Sequence, residues 1–149
     1  MAALRALAQR RLTEAQLWAK LDRKGFEDEE IRAAIERCRA EGFLDDKLFA
    51  QLYVEGKQKA LGDLRLVGEL IRKGIDRDAA YRAVQTTSAD QTARLESAIE
   101  KLYRMKPQIS YPTAARALER LGFPASLIYS KLRDRAASSG IYAAFNQEA

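Results

Sequence analysis

The sequence predicts an all-α protein, three tandem three-helix repeats forming an elongated, curved array. Three observations carry that expectation. Apolar residues recur at helical spacing almost everywhere, and no alternating stretch bounded by turn signals suggests a strand. The 149 residues are rich in Ala, Leu, Arg, Glu and Lys, with only 3 prolines and 8 glycines, a bias that favours helix over sheet. A short cluster ending in glycine recurs at nearly constant spacing, the signature of a repeat architecture.

The cluster reads Leu21, Arg23, Lys24, Gly25, Phe26 in its first copy. The second is Leu70, Arg72, Lys73, Gly74, Ile75, and the third Leu118, Arg120, Leu121, Gly122, Phe123. The glycines lie 49 and then 48 residues apart. Each is expected to end a helix in the left-handed conformation, which glycine adopts without Cβ strain. The apolar residue that follows can staple the entry of the next helix. Its partners five positions on are Ile31, Ala80 and Ile128.

Nine helices follow in order, at about 2–11, 13–24, 28–42, 46–60, 63–73, 77–87, 91–104, 112–121 and 125–136. The second opens on Thr13 and Gln16, a capping box. Glu27 is a weak cap for the third, whose stripe is Ile31, Ala34, Ile35 and Cys38. Asp45 and Asp46 are the cap and first-turn acid of the fourth. Its stripe is Phe49, Leu52, Tyr53 and Gly56, the glycine allowing close approach. Asp76 caps the sixth helix and Asp90 the seventh, where Leu95, Ala98, Ile99 and Leu102 face inward. Ala114, Ala117, Leu118 and Leu121 do so in the eighth, and Pro124 takes the poorer cap position before the ninth. The expected divisions are 2–44, 45–88 and 89–136 for the repeats, with a frayed tail at 137–149.

Chemistry is constrained by what the chain lacks. With no histidine and one cysteine, a Ser-His triad, a histidine-containing zinc site and an intramolecular disulfide are excluded. No P-loop or dinucleotide fingerprint occurs, and Gly62 reads as a turn. Asp45 and Asp46 are explained by capping, and Cys38 as a small core residue. Trp18 beside Leu17 and Leu21 reads as packing. The expectation is a non-enzyme with no catalytic residues, no metal and no cofactor. No apolar run is long enough to span a membrane and no signal-peptide pattern is present, so a cytoplasmic address is expected.

The net charge of +5 fits an acidic or nucleic-acid partner as readily as a solvated surface. More specific is the repetition of cations. Arg23, Arg72 and Arg120 occupy equivalent positions, joined by Lys24 and Lys73; Lys57 and Lys106 also correspond. These residues, with Arg65, are candidates for a partner-binding stripe. Compensation of helix C-terminal dipoles explains the same residues without any partner.

The run Glu41-Gly42-Phe43-Leu44-Asp45-Asp46, then Phe49-Ala50 and Tyr53, resembles the central signature of the RecX family. So do Gly62, Arg65, Leu66, Glu69-Leu70 and Lys73-Gly74-Ile75. Leu7, Arg10, Thr13, Leu17, Leu21 and Lys24-Gly25-Phe26 are similar to that family's first repeat. Ala117-Leu118, Leu121-Gly122-Phe123 and Ile128 are similar to its third. The resemblance implies tandem three-helix repeats and a small modulator of RecA, the recombinase that forms filaments on single-stranded DNA; the chain itself is expected to be a monomer. It implies binding in the groove or at the growing end of the RecA filament, with suppression of its ATPase, strand-exchange and co-protease activities. Several members also bind DNA, so single- or double-stranded DNA is a further candidate partner. The chain departs from the family at Asp63, where proline is frequent, at Gly68 inside a helix, and in starting close to its first helix. The rival readings are a helix-turn-helix-like DNA-binding protein, since a helix–glycine–helix unit serves both, and an adaptor that binds protein only.

Overall fold

The computed structural model describes residues 1–138. Among them the chain forms α1 (Ala2–Gln9), α2 (Glu14–Arg23), α3 (Asp28–Ala40), α4 (Asp46–Lys57), α5 (Asp63–Arg72), α6 (Arg77–Thr87), α7 (Gln91–Met105), α8 (Tyr111–Arg120) and α9 (Ala125–Ser138), with no strand among the described residues. All nine expected helices are present. Most ends differ by one to three residues, as expected where terminal turns fray. The last helix continues through Ser138, past the point where a frayed tail was expected; the rest of that tail, 139–149, lies outside the described residues.

Local chemistry sets the starts of α2, α4, α6 and α7. The hydroxyl of Thr13 accepts from Gln16 N–H at 3.1 Å while the Gln16 side chain accepts from Thr13 N–H at 3.1 Å, completing the capping box. Asp76 accepts from Ala79 N–H, Asp90 from Thr92 N–H and Asp45 from Leu48 N–H, at 3.1 to 3.3 Å. Each carboxylate satisfies a donor that has no partner inside the helix and meets the positive end of the dipole.

The helix stops at the three repeated glycines share one geometry. Gly25, Gly74 and Gly122 have φ of 91°, 94° and 99°. After α5, Gly74 N–H reaches Ile71 C=O at 2.9 Å and Ile75 N–H reaches Leu70 C=O at 3.0 Å. This paired closure is the Schellman motif, and it recurs after α2 and α8. A further copy at Gly42 ends α3 earlier than expected, at Ala40.

Contacts divide the chain into two units. The first comprises Met1–Gly56 and Val67–Ser88, the second Lys57–Leu66 and the chain from Ala89 onward. In the first, Leu12, Leu17, Leu21, Ile31, Ile35, Cys38 and Leu44 are buried together with α1 residues Ala3 and Ala6, and Trp18 packs against them. In the second, Leu95, Ile99, Ala115, Leu118, Phe123, Ile128 and Leu132 form the core. Cys38 is fully buried, and burial raises its thiol pKa, with Glu41 raising it further and Arg37 opposing.

Two expectations need correction. On α4 the buried residues are Phe49, Ala50 and Val54, whereas Leu52 and Gly56 are exposed and nothing lies within 4 Å of a Cβ at Gly56. The buried stripe is therefore rotated from the one read by hydrophobicity, because Ala50 and Val54 pack inward in place of the bulkier leucine. The staple is also incomplete in the first repeat, where Phe26 is 38% exposed, against 5% for Ile75 and 2% for Phe123.

The glycine turns differ in what surrounds them. A Cβ at Gly74 would collide with the Ala15 side chain of α2, whereas one at Gly25 meets nothing within 4 Å. Gly25→Ala should then cost only the left-handed strain, about 1–2 kcal/mol. Gly74→Ala should cost a further ~1–3 kcal/mol of overpacking. Urea denaturation of both variants checks the order; equal losses would mean that the Ala15 contact yields freely.

Candidate partner-binding site

Each predicted cation can now be placed. Arg23 closes the last turn of α2 and Lys24 follows it; both are exposed. The Arg23 Nε–H donates to Ala19 C=O at 3.3 Å. Arg72 closes α5, with its side chain 75% exposed and a guanidinium nitrogen 4.0 Å from a Glu69 carboxylate oxygen. Lys73 is half-buried, its ammonium 5.3 Å from the centre of the Tyr53 ring, within cation–π range. Lys57 ends α4 and Arg120 ends α8, both exposed. Arg65 lies in the first turn of α5 and donates at 2.8 Å to the Arg120 carbonyl.

Within the first unit the cations do not gather into one cluster. In the first unit the turn after α5 sits against the start of α2: the Thr13 hydroxyl donates to Lys73 C=O at 2.5 Å. Arg72 and Lys73 thus lie at the N-terminal end of α2, and Arg23 and Lys24 at its C-terminal end. The ten residues of α2 separate the two pairs by about 15 Å. In the second unit the turn after α8 sits in the same way against the start of α5. Gly62 N–H donates to Leu121 C=O at 2.7 Å and Leu64 N–H to Gly122 C=O at 3.1 Å. Gly62 is therefore more than a turn: a Cβ there would strike the Gly122 backbone.

Sequence reasoning missed the residue that ties the second unit together. Arg94, in the first turn of α7, is only 7% exposed. Its Nε–H donates to Gln58 C=O at 2.9 Å, and one terminal nitrogen reaches the Asp63 carboxylate at 2.6 Å and Ala89 C=O at 3.2 Å. The other terminal nitrogen donates to Leu61 C=O. One planar fork thus satisfies carbonyls between α4 and α5 that no helix partner reaches. Nothing in the sequence marks Arg94 out, since its partners Gln58, Leu61 and Asp63 lie more than 30 residues away.

A second long-range device was equally hidden. The first residue of α4, Asp46, accepts from Glu14 N–H of α2 at 2.9 Å, and the first residue of α7, Gln91, accepts from Asp63 N–H of α5 at 2.8 Å. In both units a later helix caps an earlier one. Around Asp46, the Arg39 Nε–H also donates to the Glu14 carboxylate at 2.6 Å. Burial raises the Asp46 pKa above the usual aspartate value, the Glu14 and Asp45 charges add to that, and the Glu14 N–H and Arg39 oppose it.

Among the described residues the structure thus defines an all-helical repeat protein whose helix ends carry exposed cations. The family's first three-helix domain matches residues 1–38 and its second matches residues 45–84. This chain belongs to the RecX family. It is 33% identical over 122 residues to a regulatory protein RecX of Thermus thermophilus, covering 82% of this chain and 81% of that one. It is 31% identical over 147 residues to the regulatory protein RecX of Thermobifida fusca, covering 93% and 78%. In fold it resembles the crystal structure of RecX from Lactobacillus salivarius, with a TM-score of 0.77 at 22% identity, over 89% of this chain and 91% of that one. A second RecX crystal structure matches with a TM-score of 0.75 at 21% identity, over 88% and 69%. Among the described residues no helix is long and apolar enough to cross a membrane.

Two outcomes follow. Arg94→Ala should destabilise the fold by about 3–5 kcal/mol, because it strands a partly buried carboxylate and several carbonyls. Arg94→Lys should recover little, since one ammonium cannot span the fork; chemical denaturation that finds the lysine variant near the parent would refute the assignment. Asp46→Asn should alter pH dependence. The raised pKa means that the folded state favours protonated Asp46, so the parent loses stability relative to the Asn variant as pH rises from the unfolded pKa through the raised one, then levels off. Melting curves across the acid range should show that divergence.

Proposed function

We propose that this protein is a cytoplasmic, monomeric regulator of RecA that binds the RecA filament on single-stranded DNA and mainly inhibits its ATPase, strand-exchange and co-protease activities. The observation that carries the reading is the recurrence of one exposed arginine at the last position of α2, α5 and α8. Membership of the RecX family supports the choice of RecA, as do relatives named regulatory protein RecX.

The arginines repeat because the turn repeats. A helix that closes on a left-handed glycine leaves its last side chain outside, over solvent, so each repeat offers the same charge at the same place. Arginine in that place can fork onto two oxygens of a carboxylate or a phosphate. A filament is itself a regular array, carrying both acidic side chains and DNA phosphates, and many moderate contacts along it sum to useful affinity. Lys24 and Lys73 add charge at the ends of α2 and α5, and Lys57 at the end of α4. Arg65 contributes from the start of α5, where it also binds the Arg120 carbonyl.

The test is RecA's DNA-dependent ATPase with and without this protein. The parent should inhibit, and inhibition should weaken as salt rises. Arg23→Glu, Arg72→Glu and Arg120→Glu together should keep the helical spectrum and lose most of the inhibition. A folded triple variant that inhibits as well as the parent would reduce the stripe to helix-end compensation. A defined footprint on duplex DNA without any effect on RecA would favour the helix-turn-helix-like reading instead.

A further inference from the structure

The first and third helices of a repeat flank a groove whose state differs between repeats. In the third repeat it is bridged: Lys131 of α9 meets Glu96 of α7 at 2.9 Å, and Arg135 meets Glu100 at 2.6 Å. Arg135 also lies 4.4 Å from the centre of the Tyr103 ring. In the second repeat the corresponding space between α4 and α6 is open, a groove of about 520 Å³. The reason lies in the side chains. Aligned on Gly74 and Gly122, Ala83 and Thr87 of α6 stand where α9 has Lys131 and Arg135. Aligned on the capping residues Asp46 and Gln91, Ala50 and Gln51 of α4 stand where α7 has Leu95 and Glu96. Of the four bridging residues, three are thus replaced by small or neutral ones, Gln51, Ala83 and Thr87, and only the acid of the second bridge is kept, as Glu55.

The floor is apolar, made by Ala50, Ile75, Ala79 and Ala83, and the walls carry Lys47 and Arg82. Among the described residues neither of those cations pairs with a carboxylate, although the groove also contains Asp46 and Asp76. Both aspartates are already spent on helix starts, Asp46 on Glu14 N–H and Asp76 on Ala79 N–H, where the dipoles offset their charge. The unmatched charge at the rim is positive. Small floor residues admit a helix closely, as they do between packed helices. A phosphate backbone would gain nothing from an alanine floor, so a protein segment fits better than a nucleic acid.

We propose that the α4–α6 groove of the second repeat docks an amphipathic helix of the protein partner, its small apolar face on the alanines and its acidic residues against Lys47 and Arg82. This rests on the reading that the partner is the RecA filament, and it names a contact surface separate from the arginine stripe.

The experiment uses the full chain, with RecA assembled on single-stranded DNA as the probe. Two variants are compared with the parent. Lys47→Glu with Arg82→Glu reverses the rim. Ala83→Lys with Gln51→Glu transplants one of the two ion pairs of the third repeat across the groove to give the closed variant, whose melting temperature should stay near the parent's although the Gln51 donation to Glu55 is lost. Both should weaken filament binding and ATPase inhibition by at least about tenfold. If the closed variant is folded and inhibits like the parent, the groove proposal is overturned while the proposed function stands. If the parent itself neither binds nor inhibits, the proposed function falls and this proposal falls with it. Sedimentation that shows a parental dimer split by the closed variant would make a second copy the occupant and overturn the partner helix. Loss confined to binding of bare single-stranded DNA would overturn it as well.

Discussion

The joint on which the fold depends is the seating of one helix's C-terminal turn on the start of another. A helix ends with carbonyls that lack donors and begins with amides that lack acceptors. In the second unit the two shortages cancel directly: Gly62 and Leu64 amides donate to Leu121 and Gly122 carbonyls. In the first, the Thr13 hydroxyl mediates, accepting from Gln16 and donating to Lys73 C=O. The opposite partial charges of the two helix ends favour the same approach. Such closeness requires glycine for two reasons, a φ near +95° at Gly74 and Gly122 and no room for a Cβ at either.

That joint also explains why cations on these turns resist a single interpretation. Arg65 reaches the Arg120 carbonyl, so it stabilises a helix end in the ordinary way. Arg72, by contrast, is mostly exposed and only distantly paired with Glu69, and a surface pair of that kind contributes at most about 1 kcal/mol. One of these cations is therefore held by capping, while the other stays mostly exposed at its helix end. Stability and affinity measurements on the same variants separate those roles.

The repeats share this frame and diverge around it. Arg94 anchors the second unit with a buried fork, whereas the equivalent neighbourhood of the first unit is organised by Asp46, Glu14 and Arg39. The core is similarly uneven: Ile75 and Phe123 are buried after their glycines, but Phe26 stays partly exposed. Divergence at such positions is how a repeated scaffold acquires distinct surfaces without changing its fold.

The helices, the caps at Thr13, Asp76 and Asp90, the three glycine turns and the family resemblance were all legible in the sequence. They depend on residues within about five positions of one another, where periodicity and capping chemistry act directly. The stripe on α4 was misread because hydrophobicity cannot tell which of Ala50 and Leu52 faces inward when both could; packing partners decided it. Asp46 was legible only as a cap and first-turn acid of its own helix, and the roles of Arg94 and Gln91 were not legible at all, because the partners of all three lie roughly 30 residues away. The cations of the candidate site were legible as a repeated pattern, but not their distribution to opposite ends of α2 nor the tie between Arg65 and Arg120. Charge spacing along a chain says which residues are equivalent. Only the docking of one helix end on another says where those residues stand in space.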